Sequence, residues 1–153
     1  MLVNERLDVA LAVGANGVHL RGDSFAAFRV RQCVPPGFLI GRSVHTAGEA
    51  EQSGPVDYLL AGTVWSSSSK PEGHRLLGAA GLSAIVSAAN VPVLAIGGVD
   101  ESRVGMLAGA GAAGAAAIAL WMGGPDGCRA ASLSDLVARL RRAFDAGAEG
   151  RRR

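Results

Sequence analysis

One joint recurs three times along this chain and restricts its fold more than any other feature. Gly14-Ala15-Asn16-Gly17-Val18, Gly54-Pro55-Val56-Asp57-Tyr58 and Gly111-Ala112-Ala113-Gly114-Ala115 each end a segment of helical period at glycine. Each then begins a short apolar run. Glycine accepts the left-handed backbone that a helix end favours. Helix and strand therefore alternate, and strict alternation means βα units on a parallel sheet.

Apolar runs predict strands at Leu2-Val3, Gly17 to Leu20, the stretch opening at Phe38, Asp57 to Ala61, Pro92 to Ile96 and Ala115 to Leu120. Helical spacing joins Leu7, Ala10 and Leu11. Ser24 is expected to cap a helix carrying Phe25 and Phe28, which ends before Pro35-Pro36-Gly37. Thr46-Ala47-Gly48-Glu49 reads as a capping box opening a helix to Gln52. A helix with Leu82, Ile85, Val86 and Ala89 follows a long polar loop, Gly62 to Gly78. Asp100 is expected to cap the next helix. Ser132 is expected to cap the last, whose apolar face is Leu133, Leu136, Val137, Leu140 and Phe144. Six such units suit an open doubly wound sheet or part of a (β/α)8 barrel. Short strands with polar C-terminal ends favour the barrel.

With 153 residues the chain suits one domain, read as 1–146 with a flexible basic tail at 147–153. Apolar residues make up 49% and charged residues 18%, which argues against a mainly disordered chain. The net charge is +2, and Arg151, Arg152 and Arg153 alone exceed it. A broad nucleic-acid surface is not expected. Val104 to Pro125 is uncharged, but its Ala/Gly middle lacks the large apolar residues that drive insertion, so no membrane span is expected. Cys33 and Cys128 show neither metal-ligand nor redox spacing and read as small apolar fillers. No secretory leader precedes the first strand, and a reducing cytosol is the expected compartment.

Three stretches can carry chemistry. Phe38-Leu39-Ile40-Gly41-Arg42-Ser43-Val44-His45 ends an apolar run in polar groups just before a helix, the end of a parallel strand where ligands bind. His45 would project from the rim of the sheet, and histidine is a residue type suited to proton transfer. His19 lies inside a strand and reads as a satisfied core residue, and His74 reads as a loop residue. The three histidines are not at metal-ligand spacing. Ile96-Gly97-Gly98 lets backbone amides approach an anion before a helix. The loop Thr63-Val64-Trp65-Ser66-Ser67-Ser68-Ser69-Lys70-Pro71 offers hydroxyls and one cation, and its length inside compact βα repeats points to function.

Together these residues resemble the thiamine phosphate synthase/TenI family. The resemblance rests on Leu2-Val3-Asn4, Gly17-Val18-His19-Leu20, Ile40-Gly41-Arg42-Ser43-Val44-His45, Gly62-Thr63-Val64-Trp65, Ser69-Lys70-Pro71 and Ala95-Ile96-Gly97-Gly98, and reaches to about Leu120. It implies a (β/α)8 barrel in thiamine biosynthesis with a phosphorylated thiazole at the strand C-terminal rim. Family members have two further βα units ahead of Leu2-Val3. Three accounts of this stay open: an internal start at Met1, a degenerate remnant, or completion by a partner chain, including a homo-oligomer that covers open barrel edges.

The resemblance implies one of two activities. A synthase joins a pyrimidine pyrophosphate to the thiazole phosphate using Mg2+. A TenI-type tautomerase aromatises carboxythiazole phosphate by a proton shift, with no cofactor or metal. Synthases have Asn-Asp where this chain has Asn4-Glu5, and a metal-binding aspartate where it has Ser24, with Asp23 one place early. A hydroxyl is a poor substitute for a carboxylate at magnesium. The tautomerase is therefore the leading expectation, with His45 as its acid/base; the synthase and a non-catalytic phosphate-binding or regulatory remnant are the alternatives. By the same resemblance Asn4, Ser43, Ser67, Ser69 and Lys70 would line the substrate. Gly97 and Gly98 would hold the phosphate with the residue at Ala119, where the family often has serine.

Overall fold

A computed structural model describes residues 1–66, 75–122 and 133–151. Six strands, β1 (Leu2–Asn4), β2 (Gly17–Leu20), β3 (Leu39–Val44), β4 (Tyr58–Gly62), β5 (Val93–Ile96) and β6 (Gly114–Ala116), lie in chain order in one parallel sheet. Helices α1 (Leu7–Ala12), α2 (Ala27–Cys33), α3 (Ala47–Glu51), α4 (Gly78–Ala88) and α5 (Val104–Gly109) return the chain between them. Sequential order with one helix per crossover is the winding of a (β/α)8 barrel. The six described strands form a curled half-barrel, so the barrel reading holds over the open doubly wound one.

The two faces of the sheet differ, and side-chain alternation explains how. Val18, Leu20, Ile40, Leu59, Ala61, Val93 and Ala95 point toward the helices and are buried. Leu82 and Ile85 of α4 and Leu107 of α5 meet them with no exposed surface. Each large aliphatic side chain hidden this way contributes about 1.5–3 kcal/mol. Residues of opposite parity (His19, Ser43, Tyr58, Leu60, Leu94 and Ile96) face the concave side and are only partly covered.

The glycine joints form as expected: Gly14, Gly54 and Gly111 have φ of 63°, 74° and 94°. Thr46 caps α3 by accepting from the Glu49 amide at 3.2 Å. The reciprocal bond closes one residue early, with Glu49 Oε2 accepting from the His45 amide at 2.7 Å.

Other expectations need correction. Helix α2 starts at Ala27 with no side-chain cap, and Ser24 Oγ is buried without a partner among the described residues. Phe25, ahead of α2, and Phe28, within it, are both exposed rather than packed. Cys33 is exposed at the end of that helix, so it fills no core space. Asp100 caps a turn ahead of α5, accepting from the amides of Ser102 and Arg103 at 3.0 Å each. Strand β6 stops at Ala116, and residues 119–122 form a short helix, α6 (Ala119–Met122), in place of a strand reaching Leu120.

Helix α7 (Leu133–Arg151) covers residues 147–151 of the segment expected to be a flexible tail, whose last two residues lie outside the described residues. It buries Leu136 and Leu140 against Val104. Gly147 meets α5 so closely that an added Cβ would lie 2.0 Å from the Gly105 carbonyl oxygen. Arg139 pairs with Glu101 at 2.7 Å. Ser132 and Cys128 lie outside the described residues. Among the described residues no helix is long and apolar enough to cross a membrane.

Candidate functional site

The C-terminal ends of β3, β4, β5 and β6 converge on one cleft of about 470 Å3. That volume suits a small ligand. Ser43 and His45 enter it from β3 and the residue after it, Gly62, Thr63 and Ser66 from the end of β4, and Gly97, Gly98, Asp100 and Arg103 from the loop after β5. Ala119 borders it from the first turn of α6.

His45 is aimed by two bonds. Its amide donates to Glu49, and its ring Nδ1 contacts the carbonyl oxygen of Gly62. A carbonyl only accepts, so Nδ1 carries the proton and Nε2 of the neutral ring keeps its lone pair. That arrangement can take a proton from a bound ligand. His45 and Gly97 line the same cleft rather than opposite faces of the fold.

Ser43 is held from the other side. His19 Nε2 lies 2.9 Å from Ser43 Oγ, and His19 Nδ1 lies 3.0 Å from the Tyr58 hydroxyl. The Tyr58 ring stacks on His19 with centroids 5.7 Å apart. It reaches across β3 because position 41 is glycine: a Cβ there would sit 2.0 Å from Tyr58 Cζ. Burial lowers the pKa of His19, opposed by the charge of Glu5, and burial pushes the Tyr58 phenol up. His19 is therefore a half-buried neutral ring that orients Ser43, consistent with the expected satisfied histidine.

Gly97 and Gly98 have φ of 102° and 62°. A side chain at 98 would meet the Ser66 carbonyl oxygen at 2.6 Å and Trp65 Cβ at 2.7 Å. The glycines thus let the loops after β4 and β5 touch. Thr63 and Ser66 belong to the loop that the sequence singles out for function, whereas Asp100 and Arg103 were missed as lining residues. Arg103 had one signal, its place three residues after a capping aspartate; its Nη1 donates to the Gly98 carbonyl at 3.2 Å and its guanidinium lies over Trp65.

Not every expected residue joins the cleft. Asn4 sits on edge strand β1, in register with His19, and is exposed; it does not line the cleft. Ser67, Ser69, Lys70 and His74 lie outside the described residues. Arg42, inside the motif, faces the helices and donates to the carbonyls of Phe25 and Gly22 at 3.0 and 2.9 Å, so it braces the loop before α2.

The rim of β1 and β2 holds the residues at the positions associated with magnesium. Glu5, at φ 65°, accepts from the Arg21 amide at 2.6 Å. Asp23 receives Nε and Nη2 of Arg21 at 3.1 and 3.0 Å. Among the described residues no three His, Cys, Asp or Glu side chains are grouped to hold a metal. Asp23 is bonded to the Arg21 guanidinium, Glu5 to the Arg21 amide with the guanidinium Nε 4.0 Å away, and the third position is a serine hydroxyl. This donor set does not fit a divalent cation.

Comparison with known proteins bears on the family and the fold. The family model described as thiamine monophosphate synthase matches residues 1–120. A thiamine-phosphate synthase of Methanoculleus marisnigri is 39% identical over 140 residues, 90% of this chain and 66% of the relative. One of Roseiflexus castenholzii is 37% identical over 128 residues, 82% of this chain and 56% of the relative. A bifunctional thiamine biosynthesis protein of Symbiobacterium thermophilum is 38% identical across 92% of the chain, which spans 30% of its length. The solved thiamine phosphate pyrophosphorylase of Pyrococcus furiosus superposes with TM-score 0.74 and 31% identity, over 95% of this chain and 67% of that one. A 3-hexulose-6-phosphate synthase shares the fold at TM-score 0.62 and 23% identity. The chain thus spans about two thirds or less of these relatives.

Proposed function

The chain belongs to the thiamine monophosphate synthase/TenI family, and from that membership we propose that its cleft binds a phosphorylated thiazole as part of a thiamine-phosphate synthase. One observation carries the reading: Ser43 and His45 from one βα unit and Gly97 and Gly98 from another border a single cleft. The names of the relatives support the synthase over the tautomerase, reversing the order that the residue departures suggest. In this reading the backbone at Gly97 and Gly98 receives the phosphate. Ser43, oriented by His19, and His45 set the thiazole ring for joining to a pyrimidine pyrophosphate, with pyrophosphate released. No step is assigned to magnesium, because the carboxylates at the β1/β2 rim are engaged by Arg21.

The test supplies thiazole phosphate and pyrimidine pyrophosphate with Mg2+ present and follows both products. Thiamine phosphate and pyrophosphate in equal amounts are expected; thiazole phosphate that fails to bind would end the reading.

A second reading is favoured by the rim chemistry alone. The Glu5, Asp23 and Ser24 set suits a proton shift that needs no metal, with His45 Nε2 as acid/base. Carboxythiazole phosphate would then aromatise in the presence of a chelator. His45→Ala would slow it by about 10²–10⁴-fold. An unchanged rate would remove His45 from that mechanism.

A further inference from the structure

We propose that Arg103 supplies the charged contact to the ligand's phosphate group, in place of the hydroxyl that Ala119 lacks. The inference rests on the phosphate-binding reading of the cleft. Among the described lining residues Asp100 and Arg103 are the formally charged ones. A phosphate ester carries negative charge, so a cleft offering only a carboxylate would repel it, and the cation decides the sign.

Arg103 is built into place. Asp100 Oδ1 accepts from the Ser102 amide and the Arg103 amide at 3.0 Å, and from Ser102 Oγ at 2.7 Å. These bonds fix the backbone at 103 and draw the aspartate's charge into its own turn. The Arg103 guanidinium then lies with Cζ 5.7 Å from the centroid of the Trp65 ring. Its Nη1 donates to the Gly98 carbonyl at 3.2 Å, and its Nε stands 3.6 Å from Asp100 Oδ2. A guanidinium has five N–H donors in a planar fork, so these contacts leave donors for an anion. The side chain remains 41% exposed, which keeps the cost of desolvating the charge low. Ala119, across the same cleft, presents only a methyl group. The charged contact therefore comes from the β5 loop, beside Gly97 and Gly98, and Trp65 ties it to the β4 loop.

Calorimetry with thiazole phosphate, inorganic phosphate and the dephosphorylated thiazole alcohol tests this on the wild type and on Arg103→Ala, Arg103→Lys, Ala119→Ser and the Arg103→Ala/Ala119→Ser pair. Arg103→Ala is expected to weaken both phosphate ligands about 10–100-fold, as loss of a bond to a charged group does. Binding of the alcohol should stay within about twofold, since it carries no phosphate. Arg103→Lys should fall between, and Ala119→Ser should restore part of the loss. Phosphate binding unchanged in Arg103→Ala overturns the proposal and leaves the cleft reading standing. Equal loss of phosphate and alcohol also overturns it, because Arg103 would then only be shaping Trp65. A wild type that binds neither phosphate ligand removes the cleft reading itself.

Discussion

The two rims at the C-terminal edge of this sheet are built on opposite plans. At β1 and β2 the chain spends charged side chains on one another: Glu5 and Asp23 both answer Arg21. At β5 it removes side chains, exposes backbone through Gly97 and Gly98, and sets one guanidinium over an aromatic ring. At the first rim the charged side chains engage one another, and the second is open to an anion. A parallel barrel delivers polar groups to both rims, but only the one with unspent donors is ready for a ligand.

The largest effect should come from filling the open rim. Gly98→Ala forces a side chain into left-handed backbone and against the Ser66 carbonyl oxygen at 2.6 Å. A loss of roughly 2–4 kcal/mol is expected, read from urea unfolding midpoints. A variant as stable as wild type, with phosphate affinity intact, would erase the contrast between the rims. Thr46→Ala removes the cap behind His45 and should cost about 1 kcal/mol in the same measurement.

The His19 network between the rims gives a smaller, pH-dependent effect. Burial holds its pKa below the ordinary 6.5 in the folded chain, so the unfolded chain takes a proton more readily. Stability should be full above pH 6.5 and should fall as pH drops through the folded-state value. His19→Gln should flatten that loss, measured as the difference between unfolding midpoints at neutral and mildly acidic pH. An equal loss in the variant would show that His19 does not carry it.

The smallest structural effect is expected at the β1/β2 rim. Arg21→Ala breaks exposed pairs, and such pairs add little to stability, so the melting temperature should barely move. Asp23, freed of its guanidinium partner, should gain weak affinity for Mg2+ in calorimetry that the wild type lacks. Magnesium binding by the wild type that matches the variant would contradict the donor-set reading.

Much of this was legible in the residues. Period and glycine placement reveal the βα order, because they act through local backbone preference at Gly14, Gly54 and Gly111. His45, Gly97 and Gly98 were legible for the same reason: each lies at a strand end that local pattern locates. Asn4 was not, because only the strand order shows that β1 is an edge strand two places from β3, the first strand to line the cleft. Arg103 and Tyr58 escaped too. Their roles depend on contacts across loops and strands, Arg103 with Trp65 and Tyr58 across Gly41 to His19, which spacing along the chain does not encode. Ser24 misled because a good capping residue lies two places too early for α2 to use.

The most direct test is a crystal structure of the protein with thiazole phosphate bound. The phosphate should lie against the Gly97 and Gly98 amides, with the thiazole ring between Ser43 and the Nε2 atom of His45. Ligand density at any other place on the molecule, with this cleft left to solvent, would contradict it.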